Sequence, residues 1–138
     1  MKICSRVQSS GGRLLVTLST NEKVHNLTIP PKPDGFGSSA NGGELLFLAL
    51  ATCYCNDIYR EAAKRGITVK EVEVKAEGEF GAEGEPAKNV TYSARVSAHA
   101  SDAEIHELMT HTDRVSEIQN TLRNATTVTL NRLEPDSI

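Results

Sequence analysis

The longest uniform stretch in the hydropathy pattern is LLFLALATCYC, Leu45 to Cys55, in which no position is charged. A helix apolar on every face is buried on every face. The stretch continues into Asp57–Lys64, where Ile58, Ala62 and Ala63 oppose Asp57, Arg60, Glu61 and Lys64. The pattern therefore predicts one long helix, deep in protein at its start and surfacing at its end. Asn41 followed by Glu44 is a capping box, and Lys64, Arg65 and Gly66 suit a helix C-terminus. About 24 helical residues span roughly 36 Å. The apolar part falls short of the roughly 18 residues that a membrane span requires.

Before this helix the periodicity is that of strands. Residues 2–8 alternate weakly as an edge strand, Gly11-Gly12 turns, and Arg13–Leu18 and Lys23–Ile29 complete a three-stranded antiparallel meander. The run PPKPDGFGSSANGG, residues 30–43, is a loop. After the helix, Val69–Phe80 sets Val69, Val72 and Val74 against charged partners, with Gly78 a candidate bulge, and pairs as a hairpin with Val90–Ala98. Ser101 and Glu104 form a second capping box, opening a helix with Ile105, Leu108 and Met109 inward. Arg114–Leu122 suits a short helix and Thr126–Leu133 a final strand. The order β-β-β-α-β-β-α-α-β, with strands in hairpins, is α+β with antiparallel sheet.

The 138 residues suit a single domain, 1–138. A net charge of −3 without basic-aromatic interleaving argues against nucleic acid as partner. The N-terminus has no apolar core of signal-peptide length. With an odd count of three cysteines, this predicts reduced thiols and a cytoplasmic location.

Cys53 and Cys55 are two apart on the helix, roughly 200° around its axis, so they point to opposite sides and neither bond nor chelate together. A cysteine in such a setting is more often a small hydrophobe than a nucleophile. The four histidines are scattered, and His106 and His111, five apart, are off-face for a metal pair, so no metal or cofactor is expected. Glu44 is fully explained as a capping residue, and Arg13 as a strand-end charge.

Three stretches resemble the osmotically inducible (OsmC) and organic hydroperoxide resistance (Ohr) family. NGGELLFLALATCYC is similar to the family's Asn-Pro-Glu-Glu-Leu-Leu followed by Ala-x-Cys. RGITVKEVEVKAEGEF matches its helix exit and hairpin, and IQNTLRNATTVTL its Val-Ser-Asn-x-Leu and closing strand. The resemblance covers nearly the whole chain. It implies an OsmC-like fold, antiparallel sheets around a long buried central helix, and an intertwined homodimer with thiol sites at the subunit interface. It also implies thiol-dependent reduction of organic hydroperoxides. Cys53 falls on the reactive cysteine, Glu44 on the active-site glutamate, and Arg13 is the best-placed arginine to hold the thiolate. The Cys53 thiol is then expected to titrate below the ordinary value of about 8.5.

The sequence departs from the family at two points. Asn-Pro is here Asn41-Gly42, and the second cysteine of Cys-Pro-Val-Ser-Asn is here Ser116. A hydroxyl cannot resolve a sulfenic acid. Three readings follow: a one-cysteine peroxidase served by an external thiol, a non-catalytic dimer binding a small apolar or electrophilic molecule in the interface pocket, and a structural dimer with inert cysteines. Retention of Cys53 and Glu44 favours the first, and the loss at Ser116 favours the second.

Overall fold

The structure, a computed structural model, describes residues 1–133. The chain forms two compact units, Met1–Leu46 and a second from Phe47 onward.

In the first unit, β1 (Ile3–Ser10), β2 (Arg13–Thr20) and β3 (Lys23–Asn26) form an antiparallel sheet in that order. The β1–β2 register runs from Ile3 opposite Thr20 to Ser10 opposite Arg13. Gly11 and Gly12 close that hairpin at φ 56° and 77°, backbone that residues with a Cβ rarely adopt. The register puts Ile3, Val7, Leu14, Val16 and Leu18 on one face. This is the meander that the sequence predicts. The Pro- and Gly-rich segment is a loop, pinned by a bridge between Pro31 and Ser38. The capping box that ends this unit is present: the Glu44 amide donates to Asn41 Oδ1 (2.8 Å), and the Asn41 amide donates to Glu44 Oε1 (2.9 Å).

Helix α1 (Gly42–Lys64) runs into the second unit and stops where the sequence places its end. Gly66, at φ 67°, lets its amide reach the Ala63 carbonyl and lets Ile67 reach that of Ala62, at 3.2 and 2.9 Å. Those two bonds are a Schellman stop. Strands β4 (Val69–Glu79) and β5 (Lys88–Ala98) pair antiparallel. The register slips between Val69 and Glu71, so one extra β4 residue lets both Val69 and Val72 face inward. A second slip, beside Gly78, puts its extra residue on β5, where Asn89 takes φ 54°. Helix α2 (Asp102–Val115) begins at the predicted Ser101–Glu104 box.

The core of this unit is Tyr54, Ile58, Ala62 and Leu108, closed by Val69, Val72, Val74, Tyr92, Ala94, Val96 and Met109. Tyr54 meets Tyr92 edge-to-face at 4.9 Å, and its hydroxyl donates to the Met109 carbonyl at 2.8 Å.

Three expectations are corrected. Helix α2 continues through Val115, Ser116 forms a joint, and α3 is Glu117–Arg123. Thr126–Leu133 is not a strand: no neighbour among the described residues takes its backbone groups, and Val128 and Leu130 are 90% and 96% exposed. Within the single chain, the core that α1 packs on faces its second half. Leu50, Tyr54, Asp57, Ile58, Glu61 and Ala62 are buried, whereas Leu48 is 55% exposed. Leu48, Cys55 and Tyr59 lie along a separate face that the described residues leave partly open. Finally, the charged side of α1 is not a solvated face, since both Asp57 and Glu61 are buried.

Candidate functional site

Asp57 is one helical turn beyond Cys53, so the two side chains share a face of α1. The half-buried Cys53 thiol donates to Asp57 Oδ2 at 3.4 Å. Glu117, at the start of α3, brings its Oε2 to 3.8 Å from the same sulfur. Each carboxylate gives its other oxygen to Arg60 Nη1, at 3.1 Å for Asp57 and 2.9 Å for Glu117. Two carboxylates thus lie between a thiol and a guanidinium. The sulfur and the two carboxylates are within 4.8 Å of one another, a donor set of the kind that holds metals. Arg60 already supplies the positive charge there.

Arg60 also bonds Glu61 Oε2 at 2.8 Å, and Glu61 is further held by Lys64 (3.0 Å) and His111 (2.9 Å). These partners, Arg60 first, keep the Glu61 carboxyl at about 2. A depressed carboxylate pKa contributes stability above the unfolded value and loses it as pH falls through the folded one. Folded-state stability is therefore expected to decline between roughly pH 4.5 and pH 2, and Glu61→Gln should flatten that decline in acid-unfolding curves.

The joint between α2 and α3 closes the site. Ser116 is fully buried, and its hydroxyl donates to the Thr112 carbonyl at 2.8 Å. It also favours the ionised form of the nearby Asp57 carboxyl. Next along α3, Gln119 Nε2 donates to the Leu50 carbonyl at 2.9 Å, and its buried Oε1 has no partner among the described residues.

The electrostatics run against the expected acidic thiol. Burial pushes Cys53 above the ordinary thiol value; the Ile118 amide opposes this, while Asp57 and Glu117 add to it. Asp57 is itself raised, chiefly by burial. Glu117 is lowered, first by its own backbone amide and then, after an opposing effect of burial, by Arg60.

The structure brings Cys53 together with Asp57, Glu117 and Arg60. The other residues singled out from the sequence have surroundings of their own in the first unit. Glu44 is engaged with the Asn41 amide, and Arg13 is an exposed residue lining an open groove with Gln8, Ser10, Leu14 and Leu15. Asp57 and Arg60 were missed as site residues. The signal available was the 50-54-57-58-61 spacing, which puts Asp57 and Glu61 on the apolar stripe. Nothing local pointed to Glu117, which is 64 residues from Cys53.

The family model for OsmC-like proteins matches residues 35–131. No curated protein sequence matches the chain. Among solved structures, an OsmC-like protein from Mycoplasma pneumoniae is similar at a TM-score of 0.64 and 16% identity, covering 91% of this chain and 89% of the other. An organic hydroperoxide resistance protein from Elizabethkingia anophelis, with thiocyanate bound, gives 0.59 and 19%, covering 91% and 90%. One from Legionella pneumophila, a predicted redox protein, gives 0.56 and 18%, covering 89% and 90%. At these identities the likeness shows a shared fold.

Proposed function

We propose that this chain, which belongs to the OsmC-like family, reduces organic hydroperoxides through a single cysteine, Cys53, with an external thiol completing the cycle. The observation that carries this reading is the setting of the sulfur. Cys53 is half-buried against two carboxylates and a guanidinium, whereas Cys4 is exposed on a strand. Fold neighbours that are organic hydroperoxide resistance proteins support the substrate class. Glu44 and Arg13 belong to the proposal as further site residues on the strength of the family resemblance. A reduced thiol of this kind suits the cytoplasm, and no described helix is long and apolar enough to cross a membrane.

The test is consumption of an organic hydroperoxide supplied with small monothiols or dithiols. Turnover with either supports the reading. No turnover, with a small electrophile still bound near Cys53, favours non-catalytic binding, which the raised thiol pKa also favours.

Ser116 decides how the oxidised sulfur is restored. With a hydroxyl at that position, a sulfenic acid at Cys53 waits for an outside thiol. Ser116→Cys is therefore expected to form a bond to Cys53 after one equivalent of peroxide, read as the loss of two free thiols by mass spectrometry. An unchanged thiol count would place the two positions out of reach.

The working form is a homodimer in this proposal. The open α1 face of Leu48, Cys55 and Tyr59, and the bare Val128 and Leu130, are apolar surface that a second copy would cover. Sedimentation at micromolar concentration is expected to give twice the chain mass, and the mass of one chain would refute the dimer.

A further inference from the structure

We propose that Asp57 is the base that takes the Cys53 proton as the sulfur attacks the peroxide, and the acid that returns it to the departing alkoxide. This inference rests on the reading of Cys53 as the reacting residue.

The geometry carries it. Asp57 is 6% exposed and its oxygens are divided: Oδ2 faces Sγ at 3.4 Å, while Oδ1 faces Arg60 Nη1 at 3.1 Å. The carboxylate is thus held with one lone-pair edge toward the thiol. Glu117 mirrors it from α3, with one oxygen on Arg60 and the other 3.8 Å from the sulfur. It is the poorer acceptor, being farther away and 60% exposed at its side chain.

Among the described residues, the charged groups facing the sulfur are Asp57 and Arg60 from α1 and Glu117 from α3, with Glu61 behind Arg60. One cation already faces two anions at the thiol. Releasing the thiol proton to water adds a third negative charge to this group. Moving the proton to Asp57 leaves the net charge of the group unchanged. In a half-buried setting, where charge is poorly screened, the second route is the easier one.

The step balances. A sulfur lone pair attacks the terminal oxygen of R–O–O–H, the O–O bond breaks, and an S–O bond forms. The thiol proton passes to Asp57 Oδ2 and from there to the leaving RO⁻, giving Cys53–SOH and ROH. Sulfur is oxidised by two electrons and the peroxide reduced by two. One external thiol then forms a mixed disulfide with loss of water, and a second releases Cys53 as the thiol with a disulfide product.

The experiment compares two reactions of the Cys53 thiol in the purified full-length protein across pH. Alkylation by iodoacetamide expels iodide, which needs no proton. Oxidation by an organic hydroperoxide expels an alkoxide, which does. In the wild type, alkylation should climb about tenfold per pH unit below the thiol pKa. Oxidation should stay level wherever the pair holds one proton, and fall as that proton is lost.

In Asp57→Asn, alkylation at pH 7 should speed up because an anion is gone, while oxidation slows by about a hundredfold. Both reactions accelerating together in the variant would overturn the proposal. So would wild-type oxidation that climbs in step with alkylation, a result that needs no variant to fold. A wild type that is alkylated at Cys53 but not oxidised there overturns the peroxidase reading and the role of Asp57 with it. Oxidation that survives Asp57→Asn undiminished removes only Asp57.

Discussion

Cys53→Ser is expected to reduce hydroperoxide consumption to the uncatalysed background, while Cys55→Ser retains most of the wild-type rate. Only a sulfur lone pair attacks a peroxide at a useful rate, and a serine hydroxyl keeps the shape of the site without that nucleophile. Cys53 meets Asp57 and Glu117. Cys55 is two residues on, roughly 200° around the helix, and cannot reach those carboxylates. The measurement is peroxide loss with a dithiol in excess, wild type beside each variant. Equal losses from the two serines would contradict the geometry of α1. The expected effect is large because nothing else in the cluster can replace the sulfur. Asp57, Glu117 and Arg60 move a proton or hold charge, and none of them accepts an oxygen atom.

The second large effect is on stability. Leu108→Ala is expected to cost about 3 kcal/mol, lowering Tm by roughly 10 °C. Leu108 is fully buried and belongs to the core of Tyr54, Ile58 and Ala62. Truncation loses the burial of three carbons and leaves a cavity that the β4–β5 sheet and α1 close only in part. The five buried hydrophobic residues are few among those described, so each carries a large share. Lys75→Ala, at an exposed pair with Glu77, is the control and should move the midpoint by less than about 0.5 kcal/mol. A small loss at Leu108 in thermal or urea unfolding would mean that the site repacks.

Local chemistry was legible in the sequence wherever the signal was local. Both capping boxes, the Gly11-Gly12 turn, the Gly66 stop and the three hairpins follow from the local pattern of residues. The register slips were half legible: Gly78 marked the right place, but the extra residue sits on the facing strand, beside Asn89. Thr126–Leu133 carries a strand's alternation, yet alternation specifies only which residues share a face. A ladder also needs a neighbour, and none of the described residues supplies one.

The site divides in the same way. Cys53 stood out because it lies on an apolar helix that resembles a known family. Asp57 and Arg60 were hidden by a sound rule applied too simply, that charges on a helix mark its wet side. Burial of Asp57 and Glu61 is affordable here because Arg60, Lys64 and His111 pair with them. Glu117 became a neighbour of Cys53, and Ser116 of Asp57, only through the packing of α3 against α1, which no local pattern encodes. The Cys53 thiol is raised chiefly by burial, with Asp57 and Glu117 adding to it, and burial by packing is what the local pattern does not give.

The most direct test of Cys53 as the reacting residue is to add one equivalent of an organic hydroperoxide to the reduced protein, trap sulfenic acid with a dimedone-type reagent, and map the adduct by peptide mass spectrometry. An adduct at Cys53 alone, absent from Cys4 and Cys55, is the predicted result. An adduct at Cys55 or Cys4 instead, or none while peroxide disappears, would contradict it.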